Sequence, residues 1–335
     1  GLFLNRSFDE LNLTQPDLVV EVHQAYVRAG ADVVETNTFG ANRVKLAAFG
    51  LAGAARAINA QGARIARRAA RDEAYVAGAI GPLGIRVEPW GKTGLDEAEA
   101  WFREQAEGLV EGGIDLFILE TFRDLNELGA AIRAARSVCP TLPIVAQVTT
   151  EDDGNSLDGT PPETFAPQIE AFGADVIGVN CSVGPAAMLE TLERIASVSQ
   201  ARLSAQPNAG RPRDVEGRNI YLCSPEYMAS YARRFVLNGV KLVGGCCGTT
   251  PDHIRQIRRA VSSAGAGTAA RTRRTGGSDA AAAPAVVPVP RAEKSRLANA
   301  LARGTFVRLV SVIPPKGHRL DELIEQARLL RIRGV

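Results

Sequence analysis

The segment Asp-Leu-Phe-Ile-Leu-Glu at residues 115–120 is an unbroken apolar run that ends in a carboxylate. A strand of this pattern is buried on both faces, which is typical of a parallel sheet. Further β-branched, mainly apolar runs occur before residue 262, separated by helix-like segments, and they lie at 32–39, 75–80, 143–148, 175–180, 202–206 and 241–245. Seven strands that alternate with helices predict an α/β fold, and specifically the (β/α)8 TIM barrel.

The helix-like segments begin with recognisable signals. Thr160, Ser224 and Thr250 each stand before proline and a nearby acidic residue, as N-caps do. Residues 16–29 carry apolar side chains at helical spacing and stop at Gly30. Because only seven strand–helix units are present, we expect the first strand of the barrel to precede Gly1, which makes the chain a fragment. No glycine-rich dinucleotide fingerprint follows an early strand, and this disfavours a doubly wound sheet.

The sequence changes character after residue 261. Residues 262–303 include an Ala/Pro/Val-rich tract without periodicity, which is typical of a linker. Residues 306–313 predict a strand, and an amphipathic helix follows over 320–330. One strand and one helix cannot bury a core, so 304–335 is interpreted as the start of a truncated second domain. We therefore predict three parts: a barrel over 1–261, a linker over 262–303, and this second unit.

Composition excludes several classes of function. Lys and Arg number 39 and Asp and Glu 37, so a net charge of +2 gives no sign of a nucleic-acid or acidic-membrane partner. No apolar run approaches the roughly 20 residues that span a bilayer. Five cysteines in a long chain do not resemble a disulfide framework. Reduced thiols and a cytoplasmic location are the expectation.

Three of these cysteines follow predicted strands. Cys181 comes directly after the strand at 175–180, and the adjacent Cys246 and Cys247 come after the strand at 241–245. The carboxyl ends of barrel strands share one face, so the three thiols are expected to meet there. Three thiolates leave one corner of a tetrahedral Zn²⁺ open, as in a catalytic site. Cysteine is also among the most buried small residues, and the Cys-Cys pair alone favours buried core thiols.

Other polar residues also follow predicted strands, and Glu120, Thr36 and Asn208 are the candidates. Burying such groups is costly unless they meet a partner or a ligand. Alternatives stay open, since Glu120 could pair with an arginine and Thr36 could cap a helix. His253 lies in the first turn of a helix, where a cation is disfavoured, and a solvated position is predicted for it. A zinc ion with three thiolates suits activation of a substrate thiol better than activation of water.

Five motifs together resemble the homocysteine S-methyltransferase family, whose homocysteine-binding domain is a barrel. They are Glu-Thr-Asn-Thr-Phe-Gly at 35–40, Ile-Gly-Pro at 80–82, Leu-Glu-Thr at 119–121, Gly-Val-Asn-Cys at 178–181 and Gly-Gly-Cys-Cys-Gly-Thr-Thr-Pro at 244–251. The resemblance implies zinc-dependent methyl transfer from a small-molecule donor to homocysteine, giving methionine.

The same resemblance implies a role for each candidate residue. Cys181, Cys246 and Cys247 would bind zinc, with the homocysteine sulfur as the fourth ligand. Glu120 would hold the substrate ammonium and Thr36 would contact the substrate. Asn208 would lie near the metal when the substrate is absent.

Residues 306–335, with Pro-Pro-Lys-Gly at 314–317, resemble the start of a methylenetetrahydrofolate reductase barrel. This resemblance implies a bifunctional protein whose reductase half binds FAD. Two other functions are kept open: methyl transfer to another small thiol or a selenol, and a non-catalytic zinc scaffold that acts with a corrinoid or folate protein. The sequence leaves the methyl donor open.

Overall fold

The computed structural model describes residues 7–215 and 218–268, together with five single residues, which are Asn299, Arg303, Ile324, Glu325 and Arg328. The chain divides into a unit from Gly1 to Arg271 and a second unit from Thr272 to Val335. Most of the predicted linker and the strand and helix predicted within 304–335 lie outside the described residues. The three-part division and the second barrel therefore stay predictions.

The first unit contains seven parallel strands in one curled sheet, a half-barrel that confirms the predicted α/β barrel class. In sheet order these are β1 (Val33–Glu35), β2 (Tyr75–Ile80), β3 (Leu116–Phe122), β4 (Ile144–Val148), β5 (Val176–Asn180), β6 (Arg202–Gln206) and β9 (Val240–Val243). Each matches one predicted run. A separate antiparallel hairpin, β7 (Arg213–Val215) with β8 (Arg218–Ile220), was not predicted.

Ten α-helices are described before, between and after the strands. They are α1 (Leu11–Thr14), α2 (Pro16–Arg28), α3 (Arg43–Ala47), α4 (Ala55–Ala70), α5 (Leu95–Gly112), α6 (Leu125–Val138), α7 (Pro162–Ala171), α8 (Pro185–Val198), α9 (Pro225–Leu237) and α10 (Pro251–Thr268). Ser224 caps α9 as predicted, whereas Pro161 rather than Thr160 is the N-cap residue of α7. Helix α10 continues past the boundary predicted at residue 261. No helix in the described part of the chain is long and apolar enough to cross a membrane.

The sheet separates two apolar regions. The main core lies between its outer face and the surrounding helices, with Phe102, Phe117 and Phe122 fully buried. A smaller cluster of mostly short side chains contains Ala77, Ala79, Ile118 and Val145. Strands β5 and β6 lie so close together that residue 178 of β5 has to be a glycine, because Ser204 of β6 fills the space that a side chain would need. The packing positions the strand ends rigidly.

The sheet has a seam between its edge strands. Among the described residues, β1 pairs only with β2, and β9 pairs only with β6. Both edges line a cavity of about 890 Å³, together with the stripe Leu18, Val22 and Tyr26 of α2. Leu18 and Val22 are consequently 38% and 52% exposed although their spacing is that of a buried face. The predicted eighth strand has no counterpart among the described residues, and an added parallel strand at this seam would close the barrel.

Gly178→Ala tests the contact between β5 and β6. A Cβ at residue 178 would lie 2.0 Å from Ser204 Oγ and 2.3 Å from the Ser204 carbonyl oxygen. The free energy of unfolding should fall by about 2 kcal/mol or more, as overpacking a core usually costs. The control is Gly53→Ala, where nothing lies within 4 Å of the added carbon. Urea unfolding should separate the two variants, and equal midpoints would contradict the packing.

Glu127→Gln tests a buried carboxyl in α6. Glu127 Oε1 accepts a 2.7 Å hydrogen bond from the Leu83 N–H, and burial raises the pKa of Glu127 from its ordinary 4.5 to about 7. Such a group stabilises the fold fully below pH 4.5, and that contribution is lost as the pH rises toward 7. Glutamine keeps the acceptor without the charge. Across this window the variant should gain up to about 3 kcal/mol relative to the wild type in urea unfolding. A pH-independent difference would contradict the burial.

Candidate metal centre

Three thiols meet at the carboxyl ends of β5 and β9. The Cys247 sulfur lies 3.8 Å from that of Cys181 and 3.9 Å from that of Cys246. All three sulfurs lie within 4.8 Å of one another, and all three cysteines are free. Two ligands each about 2.3 Å from a tetrahedral zinc are about 3.8 Å apart, so the spacing fits such an ion. It is far longer than a disulfide bond of about 2.05 Å.

The segment after β6 holds both halves of this cluster. The Cys181 N–H donates to the Gln206 carbonyl at 3.1 Å, and the Cys246 N–H donates to the Pro207 carbonyl at 2.8 Å. The Cys247 N–H donates to Asn208 Oδ1 at 3.1 Å, and the Ala209 N–H donates to the Cys247 carbonyl at 2.9 Å. Since β6 lies between β5 and β9, its end connects cysteines that are distant in sequence.

The backbone at the site adopts unusual conformations. Thr121, Cys181 and Ser182 have positive φ angles of 63°, 61° and 55°. Left-handed residues other than glycine are uncommon, and they occur preferentially where a site needs a particular side-chain direction. At Gly248, φ is +78°, and this sharp turn directly follows the cysteine pair. The turns aim the thiols inward from different strands.

The donor set suits a soft or borderline cation. Hydrogen bonds from the Cys181 and Cys246 thiols stabilise the Cys247 thiolate, so the pKa of Cys247 lies far below its ordinary value. Hydrogen bonds to Cys181 and Cys247, together with burial, raise the pKa of Cys246. A thiolate with two further thiols in contact is the arrangement that a metal such as zinc can enter by displacing protons. The residues present therefore fit the predicted ion.

Glu120 lies beside the thiols and is 9% exposed. Its Oε2 accepts a hydrogen bond from Asn180 Nδ2 at 3.2 Å. Burial first, then the nearby Glu35 and Cys247, raise the pKa of Glu120 well above its usual value. Asn180 also contacts the Cys246 sulfur at 3.9 Å, and its Oδ1 accepts from the Thr121 N–H at 2.7 Å. A positively charged group at this place would relieve the crowding of negative charge.

A polar chain continues across the mouth of the barrel. Glu35 Oε1 accepts from Gln206 Nε2 at 2.6 Å. The Gln206 Oε1 in turn accepts from Gln147 Nε2 at 2.6 Å, which also donates to Ser204 Oγ at 3.0 Å. Burial raises the pKa of Glu35. Apart from the place of Glu35 in a motif, the sequence predicts no role for these residues, because the pairing of strands is not visible along the chain.

Thr36 and Asn208 are both buried, and the structure shows their hydrogen bonds. Thr36 Oγ1 accepts from the Ala79 N–H at 2.9 Å and lies 2.6 Å from Thr38 Oγ1, which donates to the Ala79 carbonyl. The Thr36 hydroxyl hydrogen is therefore directed to Thr38. Asn208 uses its Oδ1 to orient Cys247, as described above. A substrate contact for Thr36 and a metal contact for Asn208 stay predictions.

His253 was predicted to be solvated, and that prediction was wrong. The ring is 7% exposed. Its Nδ1 accepts from the Thr250 N–H at 3.2 Å, which requires the proton to be on Nε2. The Nε2–H therefore donates to the Cys223 carbonyl at 3.0 Å. A neutral ring avoids the conflict between a cation and the helix N-terminus.

Tyr221 also lies at the site and was not identified from the sequence. It follows β8, and its ring lies against Gly248, which directly follows Cys247. Burial and the neighbouring thiols raise the pKa of Tyr221 to about 12. No local pattern marks this tyrosine, because its neighbours at the site come from another strand end.

Comparison with known proteins gives one consistent result. The profile of a family described as homocysteine S-methyltransferase matches residues 4–261. Methionine synthases from Mycobacterium leprae and Mycobacterium tuberculosis are each 37% identical, over 79% and 75% of this chain. The chain spans less than a quarter of their length, 23% and 22%.

Among solved structures, the Escherichia coli homocysteine methyltransferase MmuM is similar in both its oxidized and its metallated form. Each form is 25% identical with a TM-score of 0.66, and each match covers 77% of this chain and 90% of that one.

Cys247→Ser tests the cluster as a metal site. The reduced wild-type protein should bind one zinc ion per chain in competition with a chromophoric chelator. The variant should lose more affinity than the roughly 10–100-fold that loss of an outer-shell partner costs. Cys139→Ser is the matched control, because Cys139 ends α6 and contacts Thr141 rather than the cluster. Equal zinc affinity in the two variants would contradict the site.

Proposed function

The chain belongs to the homocysteine S-methyltransferase family, and on that premise we propose that it transfers a methyl group to the thiol of homocysteine, giving methionine. Cys181, Cys246 and Cys247 would hold the zinc ion on which the transfer depends. The observation that carries the proposal is the spacing of the three sulfurs, 3.8 and 3.9 Å along two edges. Three ligands at that spacing leave the fourth corner of a tetrahedron to a substrate thiol.

Zinc at this site would lower the pKa of a bound thiol and present it as a thiolate at neutral pH. The protein contributes the negative charge around the bound thiol. Three cysteine sulfurs outweigh the two positive charges of the ion, so they keep the substrate sulfur electron-rich and disfavour activation of water. The hydrogen bonds from the segment after β6 fix the cysteine backbones, and the open corner is therefore preorganised.

Glu120 would bind the ammonium group of homocysteine. Its carboxyl is buried, accepts one hydrogen bond within the described part of the chain, from Asn180 at 3.2 Å, and lies near the thiols. Burial, Glu35 and Cys247 favour its protonated form, whereas a substrate ammonium would favour the carboxylate. An ammonium group bound here would therefore lower the pKa of Glu120.

The remaining parts of the proposal concern regions and partners outside the described site. A small-molecule methyl donor, delivered directly or through a corrinoid or folate protein, would complete the reaction. Residues 304–335 would begin a methylenetetrahydrofolate reductase-like domain that binds FAD, and the resemblance of 306–335 supports this part. A cytoplasmic location would keep the cysteines reduced. Transfer to another small thiol or a selenol would use the same site, and such acceptors are tested in place of homocysteine with the same methyl donors.

Glu120→Gln tests the substrate site. The full-length protein, loaded with zinc, is supplied with homocysteine and a panel of methyl donors, and methionine is measured. The variant should raise KM for homocysteine at least about tenfold, as loss of a buried charge pair does, with a smaller effect on kcat. Glu97→Gln is the control, because Glu97 is exposed in the first turn of α5.

Two results would contradict the proposed function. If zinc-free protein formed methionine at an undiminished rate, the metal would not be required for the reaction. If KM for homocysteine were unchanged in Glu120→Gln, the Glu120 carboxylate would have no part in substrate binding. If methyl transfer were faster to a different thiol or to a selenol than to homocysteine, that compound would be the acceptor instead.

A further inference from the structure

The sheet supports the turn that carries Cys246 and Cys247 from one side. Strand β9, which leads into the turn, pairs with β6 and with no other strand in the described part of the chain. From the β6 side, residues 207–209 hold the two cysteine backbones through hydrogen bonds. On the opposite side lies the seam, whose far edge is β1. A turn at an open edge needs a second support if its sulfurs are to keep their distance from Cys181.

Residues 246–249 form a tight turn that ends at Thr249. The Thr249 N–H donates to the Cys246 carbonyl at 3.2 Å, and Thr249 Oγ1 donates to the same carbonyl at 2.7 Å. Gly248, the third residue of the turn, has the positive φ of +78° that a type II turn has at that position. The Thr249 side chain also packs on Gly245, where an added Cβ would lie 2.3 Å from Thr249 Cγ2. A shift of Thr249 would therefore move the whole turn.

Tyr26 of α2 supports this turn from the side of the seam. Its phenol donates a 3.0 Å hydrogen bond to the Thr249 carbonyl, which joins residues 223 positions apart in the chain. The side chain is half-buried and lines the same cavity as Cys246. Its hydroxyl is the polar end of the stripe formed with Leu18 and Val22. A phenol keeps its proton at neutral pH, so Tyr26 is a permanent donor to the turn.

An ion pair crosses the same seam away from the turn. Arg258 of α10 pairs with Asp32, which directly precedes β1, and both side chains are exposed. This pair joins the same two edges as the hydrogen bond of Tyr26. The two contacts therefore allow two roles to be separated. Both tie the edges of the seam together, whereas the hydrogen bond of Tyr26 also reaches the turn that carries the cysteines.

We propose that Tyr26 is a positioning residue for the metal centre. Its hydrogen bond holds the far end of the turn and so keeps the Cys246 and Cys247 sulfurs at the spacing from Cys181 that a metal ion requires. Partners outside the ligand shell orient the ligands of metal sites in general and raise metal affinity. The inference rests on the proposed function, because it needs a metal ion at the three cysteines. It adds a residue that comes from a helix rather than from the end of a barrel strand.

Tyr26→Phe removes the hydroxyl and keeps the ring in the seam. Zinc affinity is measured by competition with a chromophoric chelator, and the visible spectrum of the fully cobalt-substituted protein is recorded. The variant should bind zinc roughly tenfold more weakly, the lower end of the effect of losing an outer-shell partner, and its cobalt bands should shift. Asp32→Asn is the matched control, because it breaks the ion pair with Arg258 across the same seam without touching the turn. The control should keep the zinc affinity and the spectrum of the wild type.

Thr249→Val tests the route from Tyr26 to the cysteines. It removes the hydroxyl that donates to the Cys246 carbonyl and keeps a branched side chain. Because Tyr26 acts through Thr249, the double variant Tyr26→Phe/Thr249→Val should lose less zinc affinity than the product of the two single losses. Losses that multiply independently would overturn the proposal.

Two further results would overturn the proposal and leave the proposed function standing. The first is a Tyr26→Phe variant with the zinc affinity and cobalt spectrum of the wild type. The second is an equal loss of zinc affinity in Tyr26→Phe and Asp32→Asn, because the tyrosine would then act by closing the seam and not by holding the turn. A reduced wild-type protein that binds no zinc would overturn the proposed function and this inference with it.

Discussion

The end of β6 is the constraint on which the site depends. Gln206, its last residue, and the following residues 207–209 donate or accept the hydrogen bonds that hold Cys181 on one side and Cys246 and Cys247 on the other. Parallel pairing places β6 between β5 and β9, and only this neighbour relation brings the two cysteine segments together. The sulfur spacing is thus a consequence of strand order. Mispairing at β6 would separate the cysteines, whatever their own chemistry.

The same strand ends concentrate groups that favour a cation. Two carboxyls, Glu35 and Glu120, lie at the mouth with the three thiols, and burial raises the pKa of both carboxyls. The protein offsets part of this cost internally through Gln206 and Asn180. A divalent ion among the sulfurs and an ammonium at Glu120 would offset the rest. The sulfurs come from the ends of β5 and β9 and the carboxyls from β1 and β3, so the site has a sulfur side and a carboxyl side.

The sequence predicts the seven-stranded sheet because its continuous apolar runs signal burial without reference to a partner. It misses the hairpin of β7 and β8, whose strands are three residues each and whose described side chains are exposed. Helix α2 was predicted correctly, yet its stripe of Leu18 and Val22 faces the seam rather than a closed core. The pattern reports which face is apolar, and the presence of a neighbouring strand decides whether that face is covered.

The cysteine cluster could be predicted because three cysteines at strand ends share one barrel face. The roles of individual neighbours could not. Asn180 contacts Cys246, which is 66 residues away, and the burial of His253 depends on the Cys223 carbonyl, so neither is visible in local pattern. The Thr36 hydroxyl is similarly engaged with β2.

The most direct test of the account is zinc X-ray absorption of the metal-loaded protein with and without homocysteine. Three sulfur scatterers at about 2.3 Å and one lighter ligand are expected in the free protein, changing to four sulfurs when homocysteine is bound. A first shell that keeps three or fewer sulfurs at saturating homocysteine would contradict it, because the open corner would then not be the place where the substrate thiol binds.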